Sequence, residues 1–179
     1  KQGDGRLAEL NLTADDLTEA RKRTPAPLKA VQQAGVVVQN ASLPPDLALV
    51  RISAATADGS AVVIADLRPE WLLAAVSTSG LYKVFLVDRL GGVLAHPDGE
   101  RVIKREDLST NPVVRDALTG QVARGAREYE LDGQHRVAAF ARVENGVGSV
   151  VVEVPRDEVF KATRELSRRS LLFALGVMS

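Results

Sequence analysis

This chain of 179 residues has no cysteine and only two histidines, and both scarcities limit the chemistry it can carry. Without cysteine there is no disulfide, no thiolate nucleophile and no thiolate metal site. His96 and His135 have no histidine four residues away and no glutamate three residues away, so neither belongs to a helical metal motif. We therefore predict no catalytic residue, no metal site and no cofactor. The lack of cysteine does not indicate a cellular compartment.

The chain also lacks an excess of charge of either sign. Lysine and arginine number 23, and aspartate and glutamate also number 23. A balanced chain has no long-range field to attract nucleic acid, which we exclude as a partner. The local basic cluster, Arg21-Lys22-Arg23, lies at the end of a predicted helix and is typical of a solvated helix end.

No apolar run in the chain is long enough to cross a bilayer. The longest candidate, Leu171 to Met178, has eight residues and follows the pair Arg168-Arg169. A spanning helix needs about 20 apolar residues. The run is therefore either the beginning of a membrane span or the end of an amphipathic helix, and residues 166–179 are assigned to an exit helix with this tail.

What the chain does contain is an internal repeat. The segment from Pro25 to Leu72 returns, much altered but in the same order, between Pro112 and Phe160. Aligning Val62 with Val150 gives a displacement of 150 − 62 = 88 residues and also brings Arg68 onto Arg156. The apolar and polar positions of the aligned strands then alternate together. The chain is therefore predicted to contain two related modules.

Each repeat reads as a helix, three strands and a further helix. Proline in the first turn and glycine after the last turn mark the leading helices, which run from Pro25 to Gly35 and from Asn111 to Gly120. Turn residues separate the strands, most clearly at Asp132-Gly133, where both positions accept positive φ. The predicted strands are Val36–Val38, Leu47–Ser53, Ala61–Ala65, Ala126–Leu131, His135–Val143 and Val147–Val154. The closing helices are predicted over Pro69–Val76 and from Pro155 onward.

Only the second repeat has a leading hairpin, formed by Leu81–Val87 and Val93–His96. The second module is therefore predicted to have five antiparallel strands and the first only three. The corresponding hairpin of the first repeat would precede Lys1, so we expect the chain to be cut there. A helix from Thr13, with Asp16 completing a capping box, is predicted before the first repeat. The predicted divisions are residues 1–76, 77–165 and 166–179.

With this element order, the chain resembles the Cache family of sensory domains, in its arrangement of two PAS-like modules. Three stretches carry the resemblance: Val84 to Pro97, similar to the family's opening hairpin; Asn111 to Gly120, similar to the helix over its pocket; and Gly148 to Pro155, similar to its exit strand. The resemblance implies an α+β fold with a five-stranded antiparallel sheet flanked by helices, preceded by a partial copy. The hairpin looks most like sensor regions of bacterial adenylate or guanylate cyclases.

The resemblance implies a function as the extracytoplasmic, periplasmic input domain of a bacterial membrane receptor. A small-molecule ligand would alter the helix that leaves the domain, and the receptor would be a homodimer anchored through segments outside this chain. The alternatives are a spacer or dimerisation domain without a ligand, and a cytosolic PAS-like regulatory domain. No sequence motif indicates that this chain is itself an enzyme.

A PAS-like pocket is mostly apolar with a few polar anchors. Four residues of the second repeat are candidates for it. Arg115 could pair with a ligand carboxylate, His96 and Tyr129 could supply hydrogen bonds, and Phe140 could form an apolar wall. Each also has an ordinary structural explanation, which is a solvated helix face for Arg115, a strand end for His96, and packing for Tyr129 and Phe140.

Overall fold

The computed structural model describes residues 12–77, 82–143 and 147–158 of the chain. Within these ranges the elements alternate between short helices and antiparallel strands. In chain order they are α1 Ala14–Arg23, α2 Leu28–Ala34, β1 Val36–Asn40, β2 Val50–Ala55, β3 Val62–Leu67, α3 Glu70–Ser77, β4 Lys83–Asp88, β5 Val93–Ala95, α4 Gly99–Ile103, α5 Pro112–Thr119, β6 Arg124–Leu131, β7 Gln134–Arg142 and β8 Gly148–Pro155.

The strands form two separate sheets, as predicted. The first has the order β1-β2-β3 and the second the order β5-β4-β8-β7-β6, and all pairs are antiparallel. We refer to α1, α2 and β1–β3 as the first module, and to β4–β8 with α4 and α5 as the second module. The consecutive strands β1-β2-β3 recur as β6-β7-β8, so the repeat seen in the sequence is a repeat of sheet topology.

The displacement of 88 residues between the repeats is wrong by one residue for the last two strands of each repeat, β2 with β7 and β3 with β8. Arg51 pairs with Asp66 across β2 and β3, and Ala138 pairs with Glu153 across β7 and β8. These pairs superpose at 138 − 51 = 87 and 153 − 66 = 87 residues. A slip of one residue moves a side chain to the opposite face of a strand. An alignment based on apolar similarity alone therefore matches opposite faces of these strands. Arg51, a core residue, was thereby aligned with the exposed Ala139.

The helix ends follow the predicted capping chemistry. Thr13 and Asp16 form a reciprocal capping box at the start of α1, and the hydrogen bonds from Thr13 lower the pKa of Asp16. Asn111 caps α5 with Pro112 at its first position, and Gly35 ends α2 with φ of 77°. In the β6–β7 turn Asp132 and Gly133 have φ of 53° and 72°, as the hairpin signal requires.

One helix was not predicted, and one predicted helix lies mostly outside the described residues. The short helix α4 was missed, although Asp98, whose carboxylate accepts a hydrogen bond from the backbone N–H of Glu100, is a typical N-cap. Residues 156–158 are helical after β8, which agrees with the start of the predicted exit helix. The rest of that helix and the run Leu171 to Met178 lie outside the described residues. No helix within the described ranges is long and apolar enough to cross a membrane.

The largest core lies between the five-stranded sheet and the helices α4 and α5. It contains Phe85, Val102, Val113, Phe140 and Val151, all buried. The first module contacts the second at one edge, where the side-chain amide of Asn40 donates to the carbonyls of Val93 and Val102 at 2.6 and 2.7 Å. Val38, Val50 and Leu94 pack around this contact. The two modules therefore meet through β1, β5 and α4.

Candidate functional site

A buried carboxylate, Glu153, lies in the last strand of the second module. It is 5% exposed and is on the same face of β8 as Val151, since side chains two residues apart on a strand share a face. A charged residue at such a core position requires partners that supply hydrogen bonds or opposite charge. Three neighbouring elements supply them.

The partners of Glu153 come from β6, β7 and the N-terminus of α5. The hydroxyl of Tyr129 and the Nδ2 of Asn111 both donate to Oε1, the latter at 3.3 Å, and the guanidinium of Arg136 donates to Oε2 at 3.1 Å. We call Glu153, Tyr129, Asn111 and Arg136 the acid cluster. Each carboxylate oxygen has at least one donor, so the buried charge is stabilised in place.

Local structure fixes the direction of two of these donors. The Oδ1 of Asn111 accepts hydrogen bonds from the backbone N–H groups of Val113 and Val114, because Asn111 is the N-cap of α5. The amide nitrogen is therefore left to point at Glu153. Burial, followed by the hydrogen bond to Glu153, raises the pKa of Tyr129 well above its usual value, so the phenol remains a proton donor.

A cavity of about 340 Å³ opens beside the acid cluster. A small-molecule pocket typically has a volume of about 300–1,000 Å³. Glu153 and Arg136 line the cavity together with Lys83, and its remaining lining residues are Val76, Ser77, Tyr82, Pro97, Gln134, Val154 and Pro155. Apolar walls with one acid and two bases can hold a ligand that carries both charges, or a carboxylate between Lys83 and Arg136.

His96 is buried near this cavity, directly before the lining residue Pro97. Its Nδ1 accepts from the backbone N–H of Asp98 at 2.9 Å, and its Nε2 lies 3.2 Å from a guanidinium nitrogen of Arg101. Its ring also contacts Phe85, with centroids 5.6 Å apart. Burial, and then the charge of Arg101, lowers the pKa of His96. The neutral imidazole that this favours accepts from Asp98 at Nδ1 and carries its proton at Nε2, so the contact with Arg101 is not a hydrogen bond that the ring accepts.

The structure brings three of the four predicted ligand residues into one core and leaves the fourth apart. His96, Tyr129 and Phe140 are all buried in the second module; Tyr129 and Phe140 belong to its apolar core, and the ring of His96 contacts Phe85 of the same core. Arg115 is exposed on α5, and none of the four predicted residues is among those that line the cavity beside the acid cluster. The role of all four in ligand binding stays a prediction.

Sequence reasoning missed Glu153 and Arg136 as site residues. A usable signal was present in the run Val151-Val152-Glu153-Val154, because strand alternation puts Glu153 on the face of the buried Val151. A charge at a position that the pattern assigns to the core indicates either a partner or a function. Arg136 gives no comparable signal, since an arginine near a hairpin turn is common at the surface.

Comparison with solved structures shows several ligand-binding and extracellular domains with this fold. The ligand-binding domain of Mlp24 with asparagine has 20% identity and a TM-score of 0.52, with 79% of this chain and 59% of that chain covered. The ligand-binding domain of the Pseudomonas aeruginosa PAO1 amino acid chemoreceptor PctB, in complex with L-Arg, has 24% identity and a TM-score of 0.51, with 76% and 62% covered. This chain thus spans about three-fifths of the length of these two domains.

A third similar structure is the extracellular domain of a protein described as a histidine kinase, rpHK1S-Z16. Identity is 14% and the TM-score 0.51, with 89% of this chain and 88% of that chain covered. No family model and no curated protein matches the chain. The structural matches confirm the predicted α+β fold, which this chain shares with ligand-binding domains of chemoreceptors and with the extracellular domain of rpHK1S-Z16.

Proposed function

We propose that this chain is the extracytoplasmic sensor region of a membrane signalling receptor and that it binds a small molecule in the cavity beside the acid cluster. One observation carries the proposal. The partly buried ion pair Arg136–Glu153 lines a cavity of suitable size at the end of β8, and β8 runs directly into the segment after Pro155. The fold shared with extracellular sensory domains supports it.

The first ligand class to test is free amino acids. An amino acid carries one ammonium and one carboxylate, and the cavity offers Glu153 for the first and Lys83 and Arg136 for the second. Two of the similar structures are described with asparagine and with L-Arg. Small dicarboxylates and amines share one half of this chemistry and form the second group of the screen.

Signal transmission follows from the position of the site. A ligand can shift the exit segment only if it binds one arrangement of β8 better than another. Because Glu153 and Pro155 lie on the same strand, a ligand that takes Arg136 or Glu153 from its present partner changes contacts two residues before the strand ends.

The experiment is a thermal-shift screen of the whole chain, followed by calorimetric titration of the hits. Arg136→Gln and Lys83→Gln are expected to weaken a carboxylate ligand about tenfold or more, since each removes a charge-assisted hydrogen bond. Arg115→Ala tests the anchor predicted from the sequence. Lys29→Gln, on the exposed surface of α2 in the first module, is the control for lost charge.

The outcomes separate two functions. If a carboxylate ligand binds and Arg136→Gln and Lys83→Gln bind it as tightly as wild type, the site lies elsewhere. If Arg115→Ala alone loses binding, the anchor is on α5. If no compound of the three classes shifts the melting temperature, the sensor proposal fails at this site and the spacer or dimerisation domain becomes the better description.

The rest of the receptor follows as part of the same proposal. The chain would lie on the outer, periplasmic side of an inner membrane, in a homodimer anchored by segments outside the described residues, and a cytoplasmic output domain would carry any catalysis. The sequence of the Val84–Pro97 hairpin favours a nucleotide cyclase as this output domain. Membrane fractionation of the complete receptor and assay of its output with and without ligand test this arrangement.

A further inference from the structure

A second cavity, of about 400 Å³, lies where the two modules meet, and we call it the junction cavity. Its volume is also within the range of small-molecule sites, about 300–1,000 Å³. Helix α2 and strand β1 of the first module form one side, and the end of β4 with the turn that follows it forms the other. The lining includes Ala30, Ala34, Val38, Gln39, Asp88 and Leu90. An occupant of this cavity therefore contacts both modules.

A polar atom at the junction cavity is buried without a partner. Gln39 lines the cavity, and its side-chain Oε1 has no hydrogen-bond partner among the described residues. A buried acceptor without a donor is unfavourable, and such an atom in a folded protein commonly indicates a bound group that supplies the donor. A molecule in the cavity that carries an N–H group would satisfy Gln39.

Asp88 supplies an acidic group to the same cavity. It is the last residue of β4 and is only 9% exposed. The backbone N–H groups of Leu90 and Gly92 both donate to its Oδ1, at 2.8 and 2.9 Å. Within the part of the chain that the structure describes, Asp88 forms no salt bridge. Burial raises the pKa of Asp88, and the hydrogen bonds offset only part of this effect. A cation beside Oδ2 would stabilise the charged form.

The lining of the junction cavity favours a positively charged donor over an anion. Gln39 and Asp88 both present acceptor oxygens, and the alanine and valine side chains around them are apolar. A carboxylate ligand would meet the buried charge of Asp88 and be repelled. Arg89 also lines the cavity, but it is exposed, so that solvent and salt screen its charge.

We propose that the junction cavity binds a primary amine in its protonated form, with the ammonium group donating to Asp88 and Gln39 and the apolar part of the ligand against α2. An ammonium has three N–H donors, which is enough for both acceptors. The site is separate from the cavity beside the acid cluster. Lys83 and Asp88 are opposite ends of β4, and a rise of 3.4 Å per residue places them roughly 17 Å apart.

The test is calorimetric titration of the whole chain with 2-phenylethylamine, at a mildly alkaline pH where the amine and Asp88 are both charged. Two analogues serve as ligand controls. 2-Phenylethanol lacks the charge, and trimethyl(2-phenylethyl)ammonium keeps the charge but has no N–H donor. Each is expected to bind at least about tenfold more weakly than the amine, since neither can form a charge-assisted hydrogen bond with Asp88.

Two variants test the protein side of the contact. Asp88→Asn keeps an acceptor for the backbone of the turn but removes the charge, and it is expected to weaken the amine at least about tenfold. Gln39→Met removes the second acceptor and is expected to weaken the amine about threefold or more. Without ligand it should be at least as stable as wild type, because the buried acceptor without a partner is gone. Asp15→Asn, at an exposed position of α1, is the control for lost charge.

Amide chemical shifts locate the ligand. The amine is expected to shift the amide signals of residues 38–40 and 89–92 and to leave those of residues 152–155, beside the acid cluster, unchanged. The proposal is wrong if 2-phenylethylamine does not bind, if either analogue binds as tightly, or if Asp88→Asn binds the amine like wild type. Shifts confined to residues 152–155 would overturn the junction site and support the cavity of the proposed function, so the two proposals can fail separately.

Discussion

The two modules carry a buried carboxylate at equivalent positions of β3 and β8, Asp66 and Glu153, and neutralise it differently. In the first module Arg51 binds Asp66 through two hydrogen bonds of 2.6 and 3.0 Å, and the side chains are 1% and 4% exposed. In the second module Arg136 gives Glu153 a single hydrogen bond of 3.1 Å and is 16% exposed. Tyr129 and Asn111 supply the remaining donors.

The difference indicates that the ion pair Arg51–Asp66 is a structural contact, whereas Arg136–Glu153 is accessible from the cavity. Arg51 also donates from Nη1 to the backbone carbonyls of Ala20 and Thr24 at the end of α1, so its donors are divided between Asp66 and holding that helix on the sheet. Arg136 instead lines the cavity with one side of its pair available to a ligand. In the second module Arg142 holds helix α5 on the sheet, because it donates to the carbonyls of Ala117 and Gly120.

Among the predictions, the largest change in the free energy of unfolding is expected for Arg51→Met. The change leaves Asp66 charged and buried and removes the donors at the end of α1. Loss of one partner from a buried ion pair costs about 3–5 kcal/mol. Urea unfolding of the whole chain measures the change. The double variant Arg51→Met/Asp66→Leu is the control and should recover most of the loss, because an apolar pair leaves no buried charge. A single variant as stable as wild type would contradict this account.

Arg136→Met should cost less, about 2 kcal/mol, because it removes one hydrogen bond to a charged group. Glu153 keeps Tyr129 and Asn111 as donors, and the cavity gives it access to water. The same unfolding experiment compares the two arginine variants directly. If Arg136→Met is as destabilising as Arg51→Met, Glu153 is sealed from solvent and the contrast between the modules fails.

The first module is expected to exchange its amide protons faster than the second. It has the smaller core and the exposed edge of β3, and Thr24 Oγ1 and Ser53 Oγ are buried without a hydrogen-bond partner among the described residues. We expect β1–β3 to exchange at least about tenfold faster than β7 and β8, which corresponds to about 1.4 kcal/mol in local stability. The comparison is made at low protein concentration. Slower exchange in β1–β3 would reverse the ranking.

The smallest expected effect is the pH dependence of stability that arises from His96. Since its pKa is lowered, the folded protein binds a proton at His96 more weakly than the unfolded chain does. The contribution of His96 to the free energy of unfolding is therefore complete at pH values above its ordinary pKa of 6.5. It falls as the pH decreases below 6.5 towards the pKa of His96 in the folded protein. Arg101 and Lys83 disfavour the protonated ring, while Asp98 partly opposes them.

His96→Gln should flatten the stability profile just below pH 6.5, measured by urea unfolding at several pH values. His135→Gln, at an exposed position of β7, is the matched control. Comparing each variant with wild type cancels the titration of carboxylates that both proteins share. An identical slope for wild type and His96→Gln would show that His96 has the same pKa in the folded and unfolded chain.

Strand number and sheet separation could be predicted because alternation, turn residues and capping residues are local signals. Asp132-Gly133, Asn111-Pro112 and Thr13 each specify a turn or a helix end through their own backbone preferences. The face of β2 could not be predicted in the same way. Arg51 and Ser53 are polar, yet both face the core, and the partners that stabilise Arg51 there come from β3 and α1.

The sequence by itself determined the order of elements, the duplication, the five and three strands, and the absence of cysteine chemistry. Each of these depends on residue type and on spacing along the chain. Only the tertiary structure decided the displacement of 87 residues, the acid cluster and the separation of Arg115 from the cavity. These depend on strand register and on which side chains from distant segments meet, and a buried charge such as Glu153 acquires its role from the donors that surround it.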